Sequence, residues 1–189
     1  MRLVYHSLFP TLWIAFLVYW QVMAINVKRT QQLEPLVSRI LRVLMFGTAI
    51  VAMSFRLPGA WLNVQLWPQG LISFWAGVGL TFAGLLFSVW ARVQLGRNWS
   101  RSVTIKQDHE LIVTGPYALV RHPIYTGLLA AFLGTVLAVG EVRAVLAFVL
   151  IAVQFGYKLQ LEEEWMRAQF GAAYVAYSNR VAALVPYLL

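Results

Sequence analysis

The chain contains no cysteine. That rules out disulfides, a thiol nucleophile and thiolate metal ligands. Acidic residues are also scarce, with seven Asp and Glu against fifteen Lys and Arg. The three histidines, His6, His109 and His122, are too scattered to form a metal-ligand set. There is no Ser–His–Asp spacing, no phosphate loop and no dinucleotide fingerprint, so hydrolase, kinase and dehydrogenase chemistry lack a sequence basis. Charged residues total only 12%, while hydrophobic residues reach 60% and aromatics 14%. Those proportions belong to a chain that lies in a bilayer rather than one folded around a soluble core. The net charge of +8 does not indicate nucleic-acid binding, because the cations flank apolar runs and form no basic stripe.

Five apolar runs are legible. The first, residues 7–27, is about 31 Å long as a helix, enough to cross the hydrocarbon core. No small-residue cleavage site follows it, so it is expected to be a permanent span. A short amphipathic connector leads to a second span near 40–55. Residues 56–69, with Pro58, Gly59, Trp61, Trp67 and Pro68, read as an interfacial loop. In the third span, near 70–91, Gly77, Thr81, Gly84 and Ser88 form one stripe of small residues. The stripe suits close helix packing better than a ligand wall. Residues 124–139 and 142–157, separated by Gly140 and Glu141, are expected to form a tight, tilted hairpin or a re-entrant pair. A polar helix with aromatic residues is expected from Lys158 onward.

Charge sets the orientation. With five spans and the N-terminus outside, Lys28, Arg29, Arg39, Arg42, Arg92, Arg97, Arg101, Lys106, Arg121, Lys158, Arg167 and Arg180 fall inside, leaving Arg2, Arg56 and Arg143 outside. This split obeys the positive-inside rule. The expected fold is therefore an all-α integral membrane protein of about five transmembrane helices, ending in a helical hairpin with a cytoplasmic-side cofactor pocket. It forms a single membrane domain over 1–189, with three spans in 1–91 and the connector, hairpin and C-terminal helix in 92–189.

Two polar constellations meet on the inner face. One runs from Lys106 through His109, Glu110, Gly115, Pro116 and Tyr117 to Arg121, His122, Pro123, Ile124, Tyr125, Thr126 and Gly127. Gly115-Pro116 signals a turn, and Pro123 fits the first turn of the next helix. The other is Glu162-Glu163-Glu164-Trp165, followed by Arg167, Phe170, Tyr174, Tyr177 and Arg180. On one continuous helix Glu163, Phe170, Tyr174 and Tyr177 share a face, and Glu163 and Arg167 are spaced for an i, i+4 pair. Taken singly, the histidines suit structural hydrogen bonds, the tyrosines an aromatic belt, the acids a solvated helix start and Arg180 a headgroup anchor. Together they exceed what a membrane anchor needs, because polar groups at membrane depth are costly.

The stretch His109-Glu110-Leu111-Ile112-Val113-Thr114-Gly115-Pro116-Tyr117, followed by Val120-Arg121-His122-Pro123-Ile124-Tyr125-Thr126-Gly127, resembles the cofactor-binding signature of isoprenylcysteine carboxyl methyltransferases. The related phospholipid methyltransferases share its Arg-His-Pro-x-Tyr-x-Gly core. Glu162-Glu163 with Phe170-Gly171, Tyr174, Tyr177 and Arg180-Val181 resembles their C-terminal block. The resemblance covers residues 97–186 and implies an S-adenosylmethionine-dependent methyltransferase in the membrane, with no metal. It implies a cofactor pocket lined by Gln107, His109, Leu111, Val113, Gly115, Tyr117, Arg121, His122, Tyr125 and Gly127. Glu162 and Glu163 would take the cofactor's polar end, and Arg180 would face the acceptor carboxylate. Arg180 and Glu163 are thus the expected catalytic pair, and the expected partner is a lipophilic or lipid-modified acceptor drawn from the membrane.

The chemistry suits these residue types. A carboxylate acceptor is ionised at neutral pH, so methyl transfer needs alignment and exclusion of water more than a strong base. A phospholipid N-methyltransferase is the rival reading. Its amine acceptor must lose a proton, with His122 or Glu163 as candidate base, and Arg180 would repel it. An NADPH-dependent membrane reductase or a non-catalytic scaffold are the remaining alternatives.

Overall fold

A computed structural model describes residues 2–23, 36–96 and 111–186. The architecture is helical: α1 (Arg2–Met23), α2 (Leu36–Ser54), α3 (Leu71–Leu95), α4 (Pro123–Val139), α5 (Val142–Phe170) and α6 (Ala172–Ser178), with short 3-10 turns at Ala60–Asn63 and Gly115–Ala118. The described residues contain no strand, only an isolated antiparallel bridge between Gln65 and Glu141. By length and composition α3 and α5 can each cross a membrane, whereas α4 and the apolar part of α1 are shorter.

The small-residue stripe of α3 is used against α4, which runs antiparallel to it. A Cβ on Gly84 would stand 2.4 Å from the Gly127 carbonyl oxygen, and one on Gly77 would stand 2.5 Å from that of Gly134. The backbones touch because neither helix carries a side chain at these points. In lipid such proximity replaces the hydrophobic drive that water would supply. The hydroxyls of the stripe add bonds across the seam. Thr81 Oγ1 donates to Ala131 O at 3.0 Å, and Ser88 Oγ donates to Ile124 O at 3.2 Å.

The apolar core lies on the other side of α4. Ala49 and Met53 of α2 meet Tyr125, Phe132 and Val136 of α4 and Ala147, Ile151 and Phe155 of α5. Trp13 brings α1 in by stacking on Phe132, ring centroids 4.4 Å apart, and its indole N–H reaches Thr135 Oγ1 at 3.2 Å. Arg92 is buried and ties two helix ends, donating to Met23 O at 2.6 Å and Gly96 O at 2.7 Å. The outer stripe of α5, Leu146, Val149, Val153 and Tyr157, remains exposed. Such a face suits lipid rather than water.

The α4–α5 hairpin turns at Gly140, whose φ of +66° suits glycine. The loop after α2 clasps that turn. Leu66 N–H donates to Gly140 O, Val142 N–H to Val64 O, and the Trp67 indole to Leu137 O. Trp67 is therefore turned inward, while Trp61 stays exposed as an interfacial aromatic. Arg143 completes the clasp by pairing with Glu141 at 2.7 Å and donating to the Ala52 and Met53 carbonyls at the end of α2.

Three boundaries differ from the sequence reading. Helix α2 begins at Leu36 rather than at residue 40. Helix α3 continues past residue 91 to Leu95 and ends only at Gly96, φ +53°. Helix α5 does not stop at residue 157; it is one 29-residue helix through Phe170. Charged residues end an apolar run but not a helix, and Lys, Gln, Leu and Glu are all good helix formers. The break comes at Gly171, φ +52°, after which α6 sets off in a new direction.

Candidate active site

The motif loop is built by turn chemistry and held from both sides. Gly115 has φ +62°, which favours glycine, and Pro116 opens the 3-10 turn that presents Tyr117. Gln94 at the end of α3 donates to Thr114 Oγ1 at 2.9 Å. On the opposite side the loop pairs with the chain after α6, where Arg121 N–H donates to Ala182 O and His122 N–H to Ala183 O. Thr126 Oγ1 donates to Leu184 O at 2.7 Å, and Tyr177 OH donates to Tyr117 O at 2.6 Å. Pro123 then starts α4 with His122 as its N-cap residue.

At the centre sits Glu163. Its Oε1 lies 2.8 Å from each of Arg121 Nε, His122 Nε2 and Tyr174 OH. One buried carboxylate oxygen thus gathers the motif loop, α5 and α6. Glu162, one residue earlier, faces the other edge of the imidazole, with Oε2 3.6 Å from His122 Nδ1, and accepts from Tyr125 OH at 2.5 Å. The His122 ring stacks on Tyr125 at 5.7 Å, and Tyr125 stacks on Phe155 at 5.0 Å. Arg121 also donates to the Ser178 and Val181 carbonyls.

The electrostatics follow from this packing. Burial opposes a charge on His122, but hydrogen bonds and charges from Glu162 and Glu163 outweigh it and hold the imidazole above its ordinary range. Burial, with nearby Glu162 adding to it, pushes the Tyr117 phenol up. Burial and the Glu163 charge likewise raise Tyr174, and burial lifts Tyr177 to about 12. These phenols are donors, not bases.

The His122 shift carries a sign for stability. A group that binds its proton more tightly when folded stabilises the fold while protonated. The contribution is complete below about pH 6.5, the ordinary histidine value, and is lost as pH rises through the higher folded value. Unfolding temperatures of the detergent-purified protein are expected to fall over that interval. The slope should flatten in Glu163→Gln, which removes the charge facing Nε2; an unchanged slope would refute the coupling.

The structure draws together many of the residues expected from sequence, but not all. Tyr117, Arg121, His122, Tyr125, Glu162 and Glu163 form one cluster. Leu111 is partly buried on the approach to the turn, while Val113 and Gly115 are exposed. Gln107 and His109 lie outside the described residues. Two placements differ from expectation. Gly127 sits in the α3–α4 seam, where a Cβ would stand 2.4 Å from Ser88 Oγ, so its smallness serves packing. Arg180 is exposed and donates to Ala176 O at 3.1 Å.

Tyr174, already part of the second constellation, reaches Glu163 across the Gly171 break, not along one continuous helical face, and the glycine is the signal for that bend. One group of the cluster was not singled out from the sequence. Lys158 lies 3.7 Å from Glu162 and 5.2 Å from the Tyr125 ring centre. Its i, i+4 spacing to Glu162 was readable. The expected Glu163–Arg167 pair is present at 3.7 Å.

A cleft of about 330 Å³ opens beside this cluster, lined by Arg121, Leu159, Gln160, Glu163, Glu164 and Arg167. Among the described residues no group of His, Asp and Glu is arranged to hold a metal ion. The fold and the site together define a helical protein with apolar, membrane-length helices and a charged, tyrosine-rimmed cluster at one end of them. The chain belongs to the phospholipid methyltransferase family, whose pattern it matches over residues 72–173. It is 31% identical over 136 residues to protein-S-isoprenylcysteine O-methyltransferase of Schizosaccharomyces pombe, which covers 67% of this chain and 58% of that one. It is 30% identical over 146 residues to a probable protein-S-isoprenylcysteine O-methyltransferase of Oryza sativa subsp. indica, covering 74% of this chain and 76% of that one. The chain thus spans less than two thirds of the length of the fission yeast relative. Its fold is similar to that of the eukaryotic intramembrane Ras methyltransferase, isoprenylcysteine carboxyl methyltransferase, with TM-score 0.56, 21% identity, and coverage of 79% of this chain and 52% of that one.

Proposed function

We propose that this protein is a membrane-embedded, S-adenosylmethionine-dependent methyltransferase that O-methylates the carboxylate of an isoprenylcysteine-like lipophilic acceptor. The observation that carries the reading is the Glu163 hub: a buried carboxylate fixing Arg121, His122 and Tyr174 at the mouth of a charged cleft. Relatives bearing the isoprenylcysteine O-methyltransferase name supply the reaction class.

The residues present fit the cofactor. Two buried polar atoms of the cluster, Tyr117 Oη and Glu163 Oε2, have no hydrogen-bond partner in the protein. Buried polar groups are normally satisfied, so both can take a hydrogen bond from a ligand, Glu163 Oε2 doing so beside the Arg167 guanidinium 3.7 Å away. The cleft carries acidic and basic side chains side by side, which suits the zwitterionic amino-acid end of such a molecule. S-adenosylmethionine, when bound, supplies a methyl group on a sulfonium that is already a good leaving group. Glu162 and Glu163 hold its polar end, and the Tyr117 face offers a cation–π surface. Leu111, Val113, Gly115, Tyr125, Gln107 and His109 complete the proposed pocket. Loop, hairpin and α6 exclude water around an acceptor that needs no deprotonation.

The phospholipid N-methyltransferase reading is less well supported. An ammonium acceptor requires a base, and His122 is held toward its protonated form by two carboxylates. In the proposed topology five helices cross the bilayer, 1–91 provide three of them, and 92–189 form the catalytic part of a single domain. The 12 to 3 division of Lys and Arg across that topology supports a cytoplasmic position for the cluster.

Calorimetric titration of the detergent-purified protein with S-adenosylmethionine tests the cofactor assignment. Saturable one-site binding is expected, weakened at least about tenfold in Tyr117→Ala, the scale of one lost charge-assisted or stacking contact. A well-folded wild type that takes up no S-adenosylmethionine would end the reading.

A further inference from the structure

The inner stripe of α5 carries two polar side chains that the hub does not use. Ala144, Ala147, Ile151, Gln154, Lys158 and Glu162 follow one another at spacings of three and four residues, so they share one face. The lower part of this stripe is apolar core against α2 and α4. Gln154 interrupts it. Its side chain is 92% buried by difference from its 8% exposure, and neither its Nε2 nor its Oε1 has a hydrogen-bond partner. Leaving both ends of a buried carboxamide unmet is costly, and the cost is relieved when a ligand brings a matching group. One helical turn nearer the cluster is Lys158, an ammonium at the edge of the apolar run, 3.7 Å from Glu162.

We infer that Lys158 and Gln154 together form the acceptor-binding subsite, the ammonium pairing with the acceptor carboxylate and the carboxamide bonding the polar group next to it. The inference rests on the methyltransferase reading. It also replaces Arg180, which is exposed and turned toward Ala176 O. The two side chains project from one helix face about 6 Å apart along the axis. A carboxamide offers one donor and one acceptor edge, the complement of a secondary amide. Lys158 lies on the membrane side of Glu162 along the stripe, so an acceptor drawn from lipid meets it first, with its hydrocarbon toward the apolar part of α5. An ammonium here attracts a carboxylate and repels an amine headgroup.

The test measures binding and turnover separately on the full chain in detergent. The probes are an N-acylated, S-prenylated cysteine carboxylate and its carboxamide analogue. In thermal-shift titrations the carboxylate is expected to stabilise the wild type more than the carboxamide does. Lys158→Met should lose that preference, and Lys158→Arg should keep it. Gln154→Met should leave the ligand-free unfolding temperature unchanged or higher, since an unmet amide is removed, yet weaken acceptor binding. In turnover both Met variants are expected to raise the acceptor KM about tenfold, the loss of one charge-assisted or buried hydrogen bond, with the KM for S-adenosylmethionine unmoved in Gln154→Met. Acceptor affinities within twofold of wild type in both variants would overturn the subsite, as would a wild type that the carboxylate does not stabilise. A carboxylate-dependent shift that Lys158→Met abolishes, in a protein that transfers no methyl group, would uphold the subsite and remove the methyltransferase reading alone.

Discussion

Replacing Glu163 with alanine is expected to abolish methyl transfer and to lower stability by about 3–5 kcal/mol, the cost of breaking a buried charge network from one side. The carboxylate oxygen Oε1 meets three donors from three parts of the chain, Arg121, His122 and Tyr174. Without it the Arg121 guanidinium and the His122 imidazole lose the carboxylate oxygen they share. Set against a total stability of about 5–15 kcal/mol, such a loss is large. Glu163→Gln keeps the shape and one acceptor oxygen, and should retain more stability while still weakening cofactor binding. Thermal unfolding and S-adenosylmethionine titration of both variants check this. An alanine variant as stable as wild type would show that the hub does not hold loop and helices together.

The second large effect belongs to the α3–α4 seam. Gly84→Ala places a methyl group 2.4 Å from the Gly127 carbonyl oxygen and 2.6 Å from the Ala131 amide nitrogen. Backbone atoms cannot swing aside as a flexible side chain would, so the helices must separate. The expected cost is about 1–3 kcal/mol, as for other overpacked cores, and Gly84→Leu should exceed it. Separating the seam also tilts the start of α4, where His122 and Tyr125 arise, so methyl transfer should fall with stability. Gly79 on the same helix is the control. A Cβ there meets nothing within 4 Å, and Gly79→Ala should be neutral or stabilising by up to about 1 kcal/mol. Equal effects at both glycines would remove close packing as the explanation of the stripe.

Much of this arrangement was legible because lipid imposes simple rules. Long apolar runs must be helices, and Gly77, Thr81, Gly84 and Ser88 at helical spacing announced a close neighbour, which α4 provides. The polar cluster was legible as composition, since Arg121, His122, Glu162 and Glu163 stand beside apolar runs at membrane depth. The sequence does not say how the two constellations engage. Their contact depends on α5 running on to Phe170 and on the bend at Gly171, which brings Tyr174 back onto Glu163. Hydropathy hid the first, because a helix continues through Lys158 and the glutamates without any apolar signal. Arg180 shows a further limit: its charge suggested a carboxylate partner, yet the turn after α6 leaves it exposed. The smallness of Gly127, given to the pocket by its place in the motif, is explained by the seam instead.

The most direct test of the account is transfer of an isotopically labelled methyl group from S-adenosylmethionine in bilayers that hold a prenylcysteine carboxylate alongside phosphatidylethanolamine. The account predicts label in the prenylcysteine as an ester, released as volatile methanol by mild base. Base-stable label in the phospholipid, with none in the prenylcysteine, would contradict it.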